Sequence, residues 1–143
     1  MCRRYSFFSS PETAGEQLKA RPANFFNWQP HYNAVPGNWM PVVTNEFHDV
    51  IQFFRWGLTP QWAKDDKMGL GMYNTFSDKI KERPAYENIF KYKRCIVLAD
   101  GWFFIPPAKK TKTDTGTPPA LRIFLPGNQL LLFAGLWDVW GDG

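Results

Sequence analysis

The chain has 143 residues, a formal net charge of +4, and a composition that is 44% hydrophobic and 17% aromatic. At about 150 residues per domain, this length predicts a single domain over 1–143, and the apolar content together with 12 Pro and 11 Gly excludes a disordered chain or a long coiled coil. No apolar run reaches the roughly 18 residues of a membrane span, and the basic start is not followed by the apolar core of a secretory signal.

The first predicted element is a helix. Ser9 and Glu12 have capping-box spacing and Pro11 suits the first helical turn, so the helix is expected to start here and to run to about Arg21. A loop is expected over 22–38. Strands are predicted over 40–44 and 50–56, where β-branched and aromatic residues concentrate.

The second half of the chain follows the same pattern of short elements. Residues 57–71 predict a long loop, and a helix is expected after Pro84 because apolar residues there have helical spacing. Strands are predicted over 95–99 and 102–105, an exposed polar loop over 109–119, and a hairpin from 121–125 and 130–134. These elements predict an α+β fold dominated by antiparallel strands.

Cys2 has the most distinctive chemistry. Initiator methionine is usually removed before a small residue, which would leave an amine and a thiol on adjacent carbons. An α-amino group has a pKa of about 7.7 to 8.0, so a useful fraction is neutral at pH 7. Such an amine forms a Schiff base with an aldehyde, and the thiol can then close onto the imine carbon to give a thiazolidine. Alternatively, Cys2 acts as an ordinary thiolate nucleophile or is incidental.

Other candidate residues have simpler interpretations. Cys95 lies in an apolar segment and is expected in the core, and two cysteines are too few for a disulfide scaffold, so a reducing cytoplasm is expected. Asn74, taken alone, is a turn or cap residue. His31 and His48 have no partner at metal-ligand spacing, so neither a metal nor another cofactor is expected.

A basic stretch follows Asn74. Residues 79–94 contain two acidic residues, Glu82 and Glu87, against six basic ones, which are Lys79, Lys81, Arg83, Lys91, Lys93 and Arg94. Such a stretch indicates either a solvated face or, with exposed aromatic residues nearby, a surface that binds single-stranded nucleic acid.

Six segments occur in an order that resembles one family. They are MCRRY at 1–5, YNAVPG at 32–37, WGLTPQWA at 56–63, RPAY at 83–86, RCIVLADGW at 94–102 and FAGLW at 133–137, with Asn74 between the third and the fourth. Together they resemble the SOS-response-associated peptidase (SRAP) family throughout the chain. The resemblance implies a mostly antiparallel, barrel-like α+β fold and a monomer with a positively charged groove for single-stranded DNA.

The resemblance also implies a chemistry. Family members cross-link to abasic sites through a thiazolidine formed by the N-terminal cysteine, and the family name refers to a peptidase activity that removes residues ahead of that cysteine. By position, Cys2 is the implied nucleophile, and Asn74 the residue that orients it and the opened sugar. The implied DNA-binding residues are Arg4, Trp56, Trp62, Lys79 and Arg83, although core packing is the alternative role for the two tryptophans.

Three features depart from the family pattern. Phe104 stands where the family has a glutamate that serves as acid and base, and a phenyl ring cannot transfer a proton. Phe76 replaces an arginine that contacts phosphate. A family histidine lies beyond the FAGLW segment, and the sequence stops at Gly143 before reaching it, so the C-terminal part of the family domain is expected to be missing.

These departures leave three hypotheses. The first is a SRAP-type enzyme that cross-links to abasic sites, slowed by Phe104. The second is a catalytically impaired relative that still binds DNA. The third is a thiol peptidase acting on other proteins, for which neither His31 nor His48 supplies a matching motif.

Overall fold

The computed structural model describes residues 3–23, 28–106 and 119–141. Its helices are α1 (Pro11–Leu18) and α2 (Pro84–Tyr92). In chain order, its strands are β1 (Tyr5–Phe7), β2 (Arg21–Pro22), β3 (His31–Ala34), β4 (Trp39–Thr44), β5 (Val50–Arg55), β6 (Arg94–Ala99), β7 (Gly101–Phe104), β8 (Leu121–Ile123) and β9 (Leu131–Leu136). Short 3-10 turns cover Asp66–Gly71, Ser77–Lys79 and Pro126–Asn128.

The strands form two sheets. The first has the order β3-β1-β7-β8, and the second has the order β2-β5-β4-β6-β9. Every pairing is antiparallel except the short parallel one between β2 and β5. The predicted α+β class, dominated by antiparallel strands, is confirmed. Within the described residues both sheets are open, so the barrel-like arrangement does not extend to a closed barrel here.

Both sheets and α1 contribute to one apolar core. Its large members come from strands that the sequence marks by β-branched and aromatic residues, which suit a half-buried pleated surface. The fully buried large residues among them include Phe7 of β1, Met40 of β4, Ile51 of β5 and Leu98 of β6. The core therefore joins the N-terminal strand to the central strands of the second sheet.

The first helix starts one residue later and ends earlier than predicted. Ser10, not Ser9, caps it, because the Ser10 hydroxyl accepts a hydrogen bond from the Thr13 amide at 3.2 Å. The helix ends at Leu18, where Lys19 adopts a left-handed conformation (φ 53°) and the Ala20 amide donates to the Gly15 carbonyl. The predicted extension to Arg21 is wrong because that residue pairs with β5 in β2.

Two further predictions fail because tertiary pairing decides the structure. The predicted loop over 22–38 contains β3, which pairs with β1 through Tyr5↔Ala34 and Phe7↔His31. The predicted hairpin does not form: β8 pairs with β7 in the first sheet, whereas β9 pairs with β6 in the second. The chain changes sheets between them at the turn Pro126–Asn128, where Gly127 has φ 69°.

The remaining elements agree with the sequence. The strands predicted over 40–44, 50–56, 95–99 and 102–105 and the helix after Pro84 are confirmed as β4, β5, β6, β7 and α2. The expected loop 57–71 ends in a 3-10 turn, and most of the predicted loop 109–119 lies outside the described residues. Among the residues described, no helix is both long and apolar enough to cross a membrane.

Two glycines let the loop after β5 fold onto itself. Gly57 has φ +131°, and a Cβ at this position would lie 2.3 Å from the Gly69 carbonyl oxygen. A non-glycine residue would therefore meet both an unfavourable backbone conformation and a fixed backbone atom. The contact holds the loop that begins at Trp56 against the 3-10 turn Asp66–Gly71, which leads directly to Asn74.

We expect Gly57→Ala to lower the free energy of unfolding by about 2 to 3 kcal/mol, because the left-handed conformation and the backbone clash each penalise a Cβ. Gly71→Ala is the matched control: it lies in the same loop, and no described neighbour is within 4 Å of the added carbon. Urea denaturation of both variants measures the difference. Equal stabilities would contradict the role assigned to the Gly57–Gly69 contact.

Candidate functional site

The start of the chain is held in the interior of the first sheet. β1 pairs with β3 on one side and with β7 on the other. Next to its first residue, the Arg4 carbonyl accepts a hydrogen bond from the Phe103 amide at 3.0 Å, and the Ser6 carbonyl accepts one from the Asp100 amide at 2.8 Å. The Arg4 side chain is exposed. The backbone two residues after Cys2 is therefore fixed, whereas Cys2 itself lies outside the described residues.

Trp56 connects this strand to the segment that carries Asn74. Its ring meets the Tyr5 ring edge-on, with centroids 4.9 Å apart, and it meets the Tyr73 ring at 6.0 Å and 89°. The indole N–H donates to the Tyr73 carbonyl at 3.1 Å. Arg4 and Asn74 are thus each adjacent in sequence to a residue that contacts Trp56. The structure gives this tryptophan a packing role, which the sequence had left as one of two alternatives.

Backbone contacts fix the Asn74 segment from the loop side. The Leu58 amide donates to the Met72 carbonyl at 3.0 Å, and the Trp56 carbonyl accepts from the Gly37 amide at 2.8 Å. Asn74 is half-buried and follows Tyr73 directly. Segment 56–58, which is itself bound by residues 37 and 38, therefore holds the chain just before Asn74 although it is distant from Asn74 in sequence.

The other predicted DNA-binding residues lie on the surface. Trp62 is 68% exposed in the loop after β5. Lys79, in the 3-10 turn shortly after Asn74, is exposed and paired with Glu82 at 3.0 Å, and Arg83 is exposed just before α2. An exposed tryptophan can stack on a base, and an exposed ion pair contributes little to stability. Their exposure leaves these three residues accessible to a ligand.

Two of the three departures from the family pattern, Phe104 and Phe76, occupy exposed positions. Phe104 ends β7, pairs with Leu121 and is 42% exposed, and its ring lies edge-on to Trp102 at 6.3 Å. Phe76 is also exposed, two residues after Asn74. Both are hydrocarbon side chains at positions where water or a ligand can reach them, so neither supplies charge or a transferable proton.

Cys95 is a core residue, as predicted. It lies in β6, and a Cβ on Gly135 of the neighbouring strand would come within 2.8 Å of its sulfur. Burial raises the pKa of the Cys95 thiol to about 12, so it remains a protonated thiol at neutral pH and is a poor nucleophile. Cys95 is therefore not a candidate for thiol chemistry at neutral pH.

Asp100 and Arg122 are anchoring residues that sequence reasoning did not select. Asp100 is 7% exposed, and its carboxylate accepts hydrogen bonds from the amides of Phe8 (2.5 Å) and Ser9 (2.8 Å) and from the Ser9 hydroxyl. The Arg122 guanidinium donates to the Asp100 carbonyl at 2.9 Å and lies over the Phe8 ring. The sequence did offer a signal for Asp100, because it is a lone aspartate between two apolar strands. A carboxylate buried at such a position requires hydrogen-bond partners within the protein.

Metal binding has no support in the part of the chain that the structure describes. No group of three His, Cys, Asp or Glu residues there could hold a metal ion. His31 lies at the edge of the first sheet in β3, and His48 lies on the exposed turn between β4 and β5.

The fold and the site define an α+β protein whose N-terminal strand is fixed beside a tryptophan loop and an asparagine-bearing turn. The SOS response associated peptidase (SRAP) family matches residues 1–143, and the chain belongs to this family. The abasic site processing protein YoaM of Bacillus subtilis is 33% identical over 144 residues, which cover 98% of this chain and 60% of YoaM. The abasic site processing protein HMCES of Xenopus tropicalis is 32% identical over 142 residues, which cover 79% of this chain and 41% of HMCES.

Solved structures agree on the fold. A protein from Bacteroides thetaiotaomicron superposes with a TM-score of 0.77 at 22% identity, covering 99% of this chain and 62% of the other. A protein from Bordetella bronchiseptica superposes with a TM-score of 0.75 at 17% identity, covering 96% of this chain and 64% of the other. The chain thus spans about three fifths of the length of YoaM and of these two structures, and about two fifths of the length of HMCES.

Proposed function

We propose that this protein processes abasic sites in single-stranded DNA by forming a covalent cross-link through Cys2 after removal of Met1. The observation that carries the proposal is the convergence on Trp56 of the N-terminal strand and the segment before Asn74. The names of YoaM and HMCES, which describe abasic site processing, support the substrate class. The formal charge of +4 favours a nucleic acid partner.

The proposed reaction conserves atoms without a further reagent. The ring-opened form of an abasic sugar is an aldehyde, and the neutral Cys2 amine adds to its carbonyl carbon. Loss of one water gives an imine. The Cys2 thiolate then attacks the imine carbon, the nitrogen takes up a proton, and a five-membered thiazolidine closes. The product is protein plus DNA minus one water, with no change of oxidation state.

The chain's own residues have distinct roles in this proposal. Asn74 orients Cys2 and the opened sugar through its amide. Arg4, beside the fixed backbone of β1, neutralises a phosphate next to the lesion. Lys79 and Arg83 extend the positive surface along the bound DNA strand. Trp62 offers an exposed ring on which a base can stack. Trp56 acts through packing, because its ring and its N–H are already engaged by Tyr5 and Tyr73.

We expect the Met1-processed protein to form a heat-stable adduct with a single-stranded oligonucleotide that carries one abasic site. Denaturing gels detect the adduct, and intact mass spectrometry shows the loss of one water. Cys2→Ser, which cannot close the sulfur ring, loses the heat-stable product.

Cys95→Ala is the matched control and keeps the adduct, since the Cys95 thiol is buried. Wild-type protein that forms no more adduct than Cys2→Ser would refute the proposed chemistry.

Phe104 makes a second prediction about rate. A positioned proton carrier contributes about 10²- to 10⁴-fold, so Phe104→Glu is expected to accelerate adduct formation by up to this factor. The substitution is tolerable because position 104 is exposed at the end of β7. Phe104→Gln is the matched control, with nearly the same shape but no transferable proton. Time courses of adduct formation that are identical for the two variants would contradict a missing proton carrier.

A second candidate function is DNA binding without covalent chemistry. Phe104 and Phe76 favour it, since both lack the charge that the resemblance implies at their positions. This function shares the surface residues with the first proposal but requires neither the amine nor the thiol of Cys2. The two functions therefore separate in the adduct assay, because binding without covalent chemistry gives no heat-stable product.

For binding, we expect Trp62→Ala to weaken affinity for intact single-stranded DNA by about tenfold or more, since stacking contributes about 1 to 3 kcal/mol per base. Fluorescence anisotropy at two salt concentrations measures the affinity, which should fall as salt rises. Phe47→Ala removes another exposed aromatic ring, from the turn between β4 and β5, and should have no effect. Under the binding-only function, affinity also survives Cys2→Ala. Undetectable binding at low salt would exclude it.

A further inference from the structure

Four exposed side chains on the first sheet form a cluster in which rings and a guanidinium lie against one another. Tyr32 of β3 and Phe8, directly after β1, stack with ring centroids 5.5 Å apart and an interplanar angle of 19°. The Arg122 guanidinium of β8 lies over the Phe8 ring at 5.3 Å and over the Phe124 ring at 4.9 Å. We refer to Tyr32, Phe8, Arg122 and Phe124 as the stacking cluster.

Tyr32 offers an open ring face at this cluster. Its ring has one face against Phe8, yet the residue is 67% exposed, so the opposite face lies in solvent. Near-parallel, offset rings are an arrangement that aromatic side chains favour. A nucleobase can extend such a stack, because every base has a flat π face and needs no particular hydrogen-bond partner for this contact.

The support beneath Tyr32 is already fixed. The Arg122 guanidinium donates to the Asp100 carbonyl at 2.9 Å and to the Ser6 hydroxyl at 3.4 Å. The Asp100 carboxylate accepts a hydrogen bond from the Phe8 amide at 2.5 Å. Asp100 therefore holds both the backbone of Phe8 and the cation that lies over the Phe8 ring. A surface that is ordered in advance binds a ligand at lower entropic cost.

The direction of β1 connects the stacking cluster to the proposed DNA contacts. Tyr5 and Phe7 are buried in the core. Side chains alternate along a strand, so those of Arg4 and Phe8 belong to the opposite face of β1. At about 3.3 Å per residue, these two positions are about 13 Å apart. A DNA strand whose phosphate meets Arg4 can therefore follow this face towards Tyr32.

We propose that the stacking cluster is a base-stacking site for single-stranded DNA, at which a base away from the abasic site stacks on the open face of Tyr32. This inference rests on the proposed function, because Arg4 supplies the contact from which the strand continues. A nucleic acid fits the face better than an apolar peptide, since Arg4 and Arg122 make it cationic, and cations beside exposed aromatic rings are typical of proteins that bind single strands. The site adds affinity and takes no part in the chemistry at Cys2.

The first test measures affinity for an intact single strand of about 12 nucleotides, within the usual length of such sites. Tyr32→Ala is expected to weaken binding about tenfold, because one stacked base is lost. Tyr32→Phe keeps the ring and should bind like the wild type. Tyr92→Ala is the matched control: Tyr92 is 70% exposed and ends α2, and its removal should have no effect. Thermal denaturation verifies that each variant is folded.

The second test locates the stacked base in the wild-type chain. Intact single strands carry 5-iodouracil at one position each and are irradiated in the complex, so that the iodinated base becomes attached to an aromatic ring on which it stacks. Mass spectrometry of the peptides is expected to find attachment at Tyr32 for at least one label position. Neither test uses an abasic site, so both are independent of the cross-linking chemistry.

Equal affinity of the wild type and Tyr32→Ala would overturn the proposal, and so would labelled strands that never become attached to Tyr32. The adduct assay with the wild type would then still test the proposed function by itself. Conversely, a protein that forms no adduct but loses affinity through Tyr32→Ala would refute the covalent chemistry and support the stacking cluster. A dimer seen by light scattering and dissociated by Tyr32→Ala would assign the cluster to a second copy of the chain and overturn its assignment to DNA.

Discussion

The site depends on the position of β1 in the interior of a sheet. Chain termini usually fray because nothing holds both of their sides. Here a strand of only three residues pairs with β3 and β7 at once, and Tyr5 and Phe7 are buried in the core. Melting the strand would therefore break two sets of backbone hydrogen bonds and expose two aromatic rings. In the proposed function this matters because the Arg4 carbonyl, two positions after Cys2, is already hydrogen-bonded to the Phe103 amide.

Asp100 explains how the two sheets hold that strand. It is the single residue between β6 of the second sheet and β7 of the first. Burial of its carboxylate would be unfavourable without hydrogen bonds, and the amides of Phe8 and Ser9 at the far end of β1 supply them. The strand is thus held at one end by Asp100 and near the other by the Trp56–Tyr5 contact. Arg122 of β8 adds a bond to the Asp100 carbonyl, which connects the outermost strand to the same point.

The sequence predicts the parts of the fold that local patterns determine. β4, β5 and β6 are marked by β-branched and aromatic residues, and Pro84 marks the start of α2. β3 was missed because His31–Ala34 has no strand pattern of its own and extends only by pairing with β1. The hairpin was predicted from the turn sequence at 126–129. Instead, β9 pairs with β6 over six residues, and these backbone hydrogen bonds stabilise it more than a local turn could. Long-range pairing of this kind leaves no local signal.

The candidate site, like the fold, is only partly predictable from the sequence. Resemblance selected Trp56 and Asn74, and the structure adds that Trp56 packs against Tyr5 and Tyr73. Neither tyrosine was predicted as a partner, since an aromatic residue is equally typical of core packing.

Cys95 and Phe104 differ in their place in the fold: Cys95 belongs to the core, whereas Phe104 is exposed at the end of β7. Burial keeps the Cys95 thiol protonated and unreactive. At the end of β7, Phe104 stands where the resemblance implies a glutamate. In the proposed function, a phenyl ring at position 104 lowers the rate while β1, Trp56 and Asp100 keep the contacts described above, because position 104 is exposed at the end of β7.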